Sequence, residues 1–143
     1  MPRPPVPPHI DELLARPNPA VLACVRPDNT PHTAPVWYLW RDGRVLLTFD
    51  QTRKRLEFIG ENPAVALSVL DTDDWFKNVT LFGRVEEIFD DDELRGVDEI
   101  SEHYINRPYL RRDQPRVLGW MEVDSWYAWN AHAEVEDLPK GKM

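Results

Sequence analysis

A single cysteine, Cys24, is all the thiol chemistry this chain carries, which excludes a disulfide within it. It stands inside the apolar run "AVLACV", where a small buried thiol is expected rather than a nucleophile. No stretch approaches the roughly 18 consecutive apolar residues of a membrane-spanning helix, so no membrane span is expected. Glycine is scarce, at six residues, and nowhere forms a phosphate-cradling loop or a GxSxG elbow. The four histidines, His9, His32, His103 and His132, have no metal-ligand spacing with one another or with Cys24. Positive charge is in deficit, 17 Lys and Arg against 25 Asp and Glu, for a net charge of -8. That balance argues against nucleic acid as a partner, since phosphate backbones demand a broad basic surface. The carboxylates fall mostly in turns and on an exposed helix face, and single out no catalytic pair.

What is present suffices for one compact domain. The 143 residues are 42% hydrophobic and include six tryptophans. Proline clusters in "MPRPPVPPHI", which lacks the apolar core of a signal peptide, so a cytoplasmic protein is expected. Residues 1–8 read as a flexible leader, 9–132 as a single domain and 133–143 as a C-terminal tail.

Along the domain, "HIDELLARP" has Ile10, Leu13 and Leu14 at helical spacing and ends at Pro17. "AVLACVR" reads as a strand and "PDNT" as a turn. "PHTAPVWYLW" reads as one strand, with His32, Ala34, Val36, Tyr38 and Trp40 on one face and Thr33, Pro35, Trp37 and Leu39 on the other. Pro35 cannot donate a ladder hydrogen bond, so it marks an edge, a bulge or a point where the strand leaves its sheet. "RDGR" is a tight hairpin turn into "VLLTF". After a short helix come the buried strand "AVALSVL" and the long strand "WFKNVTLFGRVEEIF", with Gly83 a bulge candidate. The stretch "DDDELRGVDEISEHYIN" predicts the main helix, with Leu94, Val97, Ile100 and Tyr104 turned inward, and "RVLGWMEVDSWYAWN" a last strand. The expected fold is mainly β within the α+β class: a six-stranded antiparallel barrel with two to three flanking helices.

One segment conflicts with local preference. "FDQTRKRLEFIGENP", residues 49–63, places Arg53, Lys54 and Arg55 in the first turn of a helix, where the backbone already carries partial positive charge. As solvated cations paired with Glu57 or Glu61 they would contribute about 0–1 kcal/mol. Around a bound phosphate they would instead reinforce the anion site that free N–H groups make, with Thr52 as N-cap and hydroxyl donor. Trp37, Tyr38, Trp40, Phe49, Trp75, Phe76, Trp120, Trp126, Tyr127 and Trp129 lie on or beside strands. Most are expected in the core, but a phosphate anchor beside an aromatic wall suits a flat phosphorylated ring.

The order of these pieces resembles a known family. "LLARPNPAVLACVRPDNTPHTAPVWYLWRDGRVLLTF", "TRKRLEFIGENPAVALSVL" and "VTLFGRVEEI" follow the succession found in the split β-barrel flavin/deazaflavin oxidoreductases, the pyridoxamine 5'-phosphate oxidase-like superfamily. The chain most resembles its short actinobacterial members that use coenzyme F420, over roughly residues 9 to 130. The resemblance implies a homodimer with cofactor sites between the barrels and the phosphate held by Thr52, Arg53, Lys54 and Arg55. Relatives usually carry a lysine eight residues before the proline of "NP"; here Arg55 has that spacing from Pro63, with Lys54 adjacent. The resemblance assigns Pro35, Val36 and Trp37 to the ring wall, with Thr48 and Phe49 as neighbours. Trp75, Phe76, Lys77 and Asn78 of the other subunit are expected to cover the ring, and "SWYAWN" to help close the pocket. "RPDNT" departs mildly from the commoner "RPDG", since Asn tolerates the left-handed conformation.

The implied activity is F420-dependent hydride transfer to an electron-poor double bond of a small organic substrate of the enone or quinone type. Tyr38 and His32 are the candidate proton donors. Two alternatives stand beside it: an FMN-binding oxidoreductase of the same fold, and a non-catalytic cofactor- or tetrapyrrole-binding protein. The "RPYLRRDQPR" loop is a candidate path for the anionic tail that F420 has and FMN lacks.

Overall fold

The structure, a computed structural model, describes residues 1–129. Asn130 of "SWYAWN", His132 and the tail at 133–143 lie outside the described residues. Three helices, α1 (Pro8–Ala15), α2 (Lys54–Glu61) and α3 (Arg95–Ile105), surround seven strands. These are β1 (Ala20–Val25), β2 (Pro31–Val36), β3 (Tyr38–Arg41), β4 (Arg44–Asp50), β5 (Ala64–Leu70), β6 (Asn78–Asp90) and β7 (Arg116–Trp129). They form one sheet in the order β2-β1-β5-β6-β7-β4-β3, antiparallel at every pairing.

The expected six strands become seven because "PHTAPVWYLW" divides at Trp37. Up to Val36 the segment pairs with β1, and from Tyr38 it pairs with β4. Pro35 thus lies on an edge strand, one residue before that strand ends. The two edges of the sheet are consecutive in the chain and separated by Trp37 alone, so the barrel is open along a seam between β2 and β3.

The alternation of faces survives the division. Val36, Tyr38 and Trp40 join the interior, where Leu22, Leu47, Phe49, Leu67, Leu81 and Met121 are buried together with Ile10, Leu13 and Leu14 of α1 and Ile59 of α2. Trp37 and Leu39 point the other way, into a smaller cluster with Leu46, Leu118, Trp120 and Ile100 of α3. Helix α3 therefore covers the outer face of β3, β4 and β7.

Local chemistry accounts for the turns. Asp42 and Gly43 close the β3–β4 hairpin with φ of 53° and 75°, and Asn29 takes φ 68° in the "PDNT" turn. At Gly83 the β6–β7 register shifts, and an added Cβ would lie 1.8 Å from the Glu122 carbonyl oxygen. The acidic stretch expected to open the main helix instead forms a 3-10 turn at Asp92–Leu94, with Glu93 and Leu94 left-handed. Leu94 becomes the N-cap residue of α3, while Val97 and Ile100 stay buried. The buried Asp91 carboxylate accepts from the Gly96 and Val97 N–H groups, each at 2.8 Å, satisfying two donors that a helix start leaves open.

The leader carries no regular structure up to Pro7, yet it is fastened. The Pro2 carbonyl accepts from the Trp126 N–H at 3.0 Å, and Val6 packs on the interior cluster. Among the described residues, no helix is long and apolar enough to cross a membrane.

Candidate cofactor cleft

A cleft of about 620 Å³ opens beside the seam. One wall is Pro35, Val36 and Trp37; Pro17, Pro19 and Ala20 floor it, and Thr48, Thr72, Tyr104 and Tyr109 continue the lining. Arg53, Arg55 and Arg116 complete it. The end of β2, the middle of β4, the start of α2 and the start of β7 meet here because the sheet order brings β4 between β3 and β7.

The Trp37 indole is fixed from behind. It stacks on Tyr104 with ring centroids 5.2 Å apart and planes 9° from parallel, and Tyr109 meets its edge at 6.5 Å. The Tyr104 hydroxyl donates to the Asn18 carbonyl at 2.7 Å, and burial raises its pKa above the ordinary phenol range. Arg116 donates from Nε to Thr48 Oγ1 at 3.1 Å and lies over the Tyr109 ring, 4.8 Å from its centroid.

The basic cluster separates into different roles. Lys54 points outward and pairs with Glu57 at 3.4 Å, so for this residue the surface-cation alternative describes the geometry. Arg53 is the N-cap residue of α2, not Thr52 as expected. Thr52 is instead drawn to Asp50: its N–H and its hydroxyl both donate to Asp50 Oδ1 at 2.9 Å. Those bonds, the backbone one foremost, hold the Asp50 carboxyl below the usual range. Arg55 folds inward over Phe49, 5.8 Å from the ring centroid, and its buried Nε has no hydrogen-bond partner among the described residues. Burial, then repulsion from Arg53, lowers its pKa. Among the described residues, none of Arg53, Arg55 and Arg116 forms an ion pair.

A second, more polar cleft of about 590 Å³ shares Arg53 and Arg55 with the first. His32, Thr33, Ala34, Asp50, Thr52, Lys54, Arg111 and Gln114 complete its lining. The arginines of α2 therefore stand at the junction of an aromatic cleft and a cationic one.

Several expected site residues lie elsewhere. Phe49 is fully buried and supports Arg55 from below instead of facing the cleft. Tyr38 is 1% exposed, with its hydroxyl donating to the Leu14 carbonyl at 2.8 Å. Burial holds its pKa far above the ordinary value. A phenol so placed cannot serve the cleft as a proton donor. His32 sits in the second cleft, 3.9 Å from Cys24 Sγ, edge-on to Phe58. The Cys24 thiol is pushed up by burial, against the opposing pull of Arg55. Trp75, Phe76, Lys77 and Asn78, on the β5–β6 loop and the start of β6, line neither cleft of their own chain. Trp75 is 67% exposed and packs loosely on Phe76, and Trp129 at the end of β7 pairs with Asn78.

Sequence reasoning missed Tyr104, Tyr109, Thr72 and Arg116 as cleft residues. The usable signal was "RPYLRRDQPR", noted only for its charge: Tyr109 lies within it and Arg116 ends it. Among the described residues, no group of three or more His, Cys, Asp or Glu side chains is placed to hold a metal ion.

Comparison with known proteins bears on the fold and the family. A solved F420 reductase is similar at 30% identity, covering 85% of this chain and 98% of that one, with a TM-score of 0.79. A conserved hypothetical protein from Mycobacterium tuberculosis is similar at 20% identity, covering 99% and 93%, with a TM-score of 0.73. General stress protein 26 from Bacillus anthracis is similar at 24% identity, covering 85% and 95%, with a TM-score of 0.64. The last two likenesses speak for the fold alone. No curated protein sequence matches the chain. The sequence model of pyridoxamine 5'-phosphate oxidase matches residues 6–130, so that nearly every described element falls within it, and the chain belongs to that family.

Proposed function

We propose that this protein is an F420-dependent oxidoreductase that reduces an electron-poor double bond, of the enone or quinone type, in a small organic molecule. The observation that carries this reading is Arg55, an inward-turned guanidinium at the junction of the two clefts whose buried Nε is unpartnered among the described residues. A buried polar donor without a partner is costly, and a phosphate there would accept from Arg55 in bidentate geometry while Arg53 adds charge. Of the residues at the start of α2, Arg55 is thus assigned the phosphate contact and Lys54 none.

Two further observations favour the deazaflavin over FMN. The second cleft adds Arg111 to the shared arginines, a setting for the anionic tail that FMN lacks. The F420 reductase is also a relative at 30% identity. When bound, the deazaflavin supplies a hydride from its reduced ring. The chain supplies the rest. Pro35, Val36 and Trp37 give the ring a flat wall, and the apolar floor at Pro17, Pro19 and Ala20 keeps water from its underside. The proton that completes such a reduction would come from solvent, since the Tyr38 hydroxyl is buried and bonded to the Leu14 carbonyl. A second copy of the chain is proposed to cover the ring with Trp75, Phe76, Lys77 and Asn78, which explains two aromatic rings left exposed at a loop tip.

The test is titration of the purified protein with F420 and, separately, with FMN, followed by ligand fluorescence and tryptophan quenching, then turnover with a panel of enones and quinones. Tight F420 binding with turnover is expected. Preference for FMN replaces the proposed cofactor, and binding without any turnover points to a carrier instead of an enzyme.

A further inference from the structure

Beyond the Trp37 edge the cleft lining passes to Tyr109, on a loop of residues 106–115 with no regular structure of its own. Loops without ladder hydrogen bonds hold a position only where something else fastens them. Here much of the fastening falls on one carboxylate. Asp98, in the first turn of α3, accepts from the Tyr109 N–H at 3.0 Å through Oδ1. The same carboxylate takes the Arg112 guanidinium in a fork, Nη1 to Oδ1 at 2.8 Å and Nη2 to Oδ2 at 3.1 Å. Arg112 Nη1 also donates to the Tyr109 carbonyl at 3.1 Å, closing a small ring of bonds around that residue. A separate bond, Ser101 Oγ to the Arg107 carbonyl at 2.7 Å, anchors only the loop's beginning.

The fastened residue faces the cleft. The Tyr109 ring meets the edge of Trp37 and underlies the Arg116 guanidinium, whose Nη1 lies 3.5 Å from the Tyr109 hydroxyl. A bidentate arginine–carboxylate pair gives geometric definition as well as energy. The fork and the amide bond together fix both backbone groups of Tyr109, and the ring follows.

We propose that Asp98, which does not itself line the cleft, is the positioning residue for Tyr109: by holding that residue it fixes the edge support of Trp37 and the seat of the Arg116 guanidinium, and so sets how well the cleft holds its ligand. This rests on the reading of the cleft as a site for a planar, phosphorylated ring. Asp98 acts through Tyr109, so loss of either side chain produces the same defect. The direction of its ionisation agrees, since the Arg112 bond keeps the carboxyl charged well below the usual range.

The experiment compares D98A, D98N, R112A, Y109A and the double variant D98A/Y109A. In the free chain, amide hydrogen exchange at Tyr109 should speed at least tenfold in D98A and less in D98N, which keeps an oxygen acceptor. R112A, altering only an exposed side chain, should give a smaller increase and guards against D98A failing to fold. In F420 titrations, D98A and Y109A should each weaken binding about tenfold, and the double variant no further. Unchanged exchange at Tyr109 in D98A overturns the proposal, as do losses that multiply in the double variant. If the unaltered chain binds neither F420 nor FMN, the proposed function fails, and the exchange measurement still decides whether Asp98 holds Tyr109.

Discussion

Arg116 and Thr48 are joined by a hydrogen bond of 3.1 Å from the guanidinium Nε to the threonine hydroxyl, and both residues line the cleft. The bond turns the Arg116 side chain across β4, toward the arginines of α2. Three guanidinium groups thus face one volume, and among the described residues none of them is in an ion pair, Asp50 being the carboxylate that acts on two of them from a distance. Such an arrangement repels itself until an anion arrives.

Replacing Arg55 with alanine should therefore weaken binding of the phosphorylated cofactor by about 10- to 100-fold, the scale of a lost hydrogen bond to a charged group. Lys54→Ala should leave affinity within about twofold, because its partner is Glu57 on the surface. Fluorescence titration of both variants checks this. Equal losses would return Lys54 to the site.

Tyr38→Phe separates structure from catalysis. The change removes the donor to the Leu14 carbonyl, at the end of α1, and should lower unfolding free energy by about 1–3 kcal/mol. Cofactor affinity and turnover should not move. Denaturant melts beside steady-state rates make the comparison, and a fall in turnover with stability intact would restore Tyr38 as a proton donor.

Gly83→Ala should destabilise the barrel by about 1–3 kcal/mol or more, as overpacking against a main chain does. The obstruction is the Glu122 carbonyl, backbone that cannot rotate away like a side chain. A denaturation midpoint equal to that of the parent chain would mean the β6–β7 ladder shifts freely at this point.

Acid should destabilise the fold through specific carboxylates. Asp50 and Asp98 have folded pKa values below that of an ordinary aspartate, from hydrogen bonds to Thr52 and Arg112 respectively. The sign follows from linkage: a depressed folded pKa contributes stability that is complete above the unfolded value and is lost as pH falls through the folded one. Urea midpoints should thus hold steady at mild acidity and drop from about pH 4 downward. In D98N that low-pH drop should be shallower, and an unchanged slope would mean Asp98 is not among the linked groups.

Much of the fold was legible because its cues are local. Asp42–Gly43, Asn29 and Gly83 behave as their residue types require, and the alternation around Tyr38 carried through the break at Trp37. The break itself depends on β4 being available to pair with Tyr38, a non-local fact that Pro35 only hinted at. At the site, Pro35–Trp37, Thr48, Arg53 and Arg55 line one cleft. Thr52 escaped its expected role because Asp50, two residues earlier, competes for its hydroxyl and its N–H. Tyr109 and Arg116 were harder to place from the sequence because their positions depend on other elements: Tyr109 is bonded to Asp98 of α3, and Arg116 is the strand partner of Asp50 of β4.

The seam between β2 and β3 also bears on how two copies of this chain can meet. An open sheet edge normally invites another strand to add to it. Here one edge has prolines at two of its six positions, Pro31 and Pro35, and so lacks two donors; the other is only four residues long and ends in Arg41. Both are poor templates for strand addition, so any contact between copies would have to use side-chain surfaces and not backbone ladders at these edges.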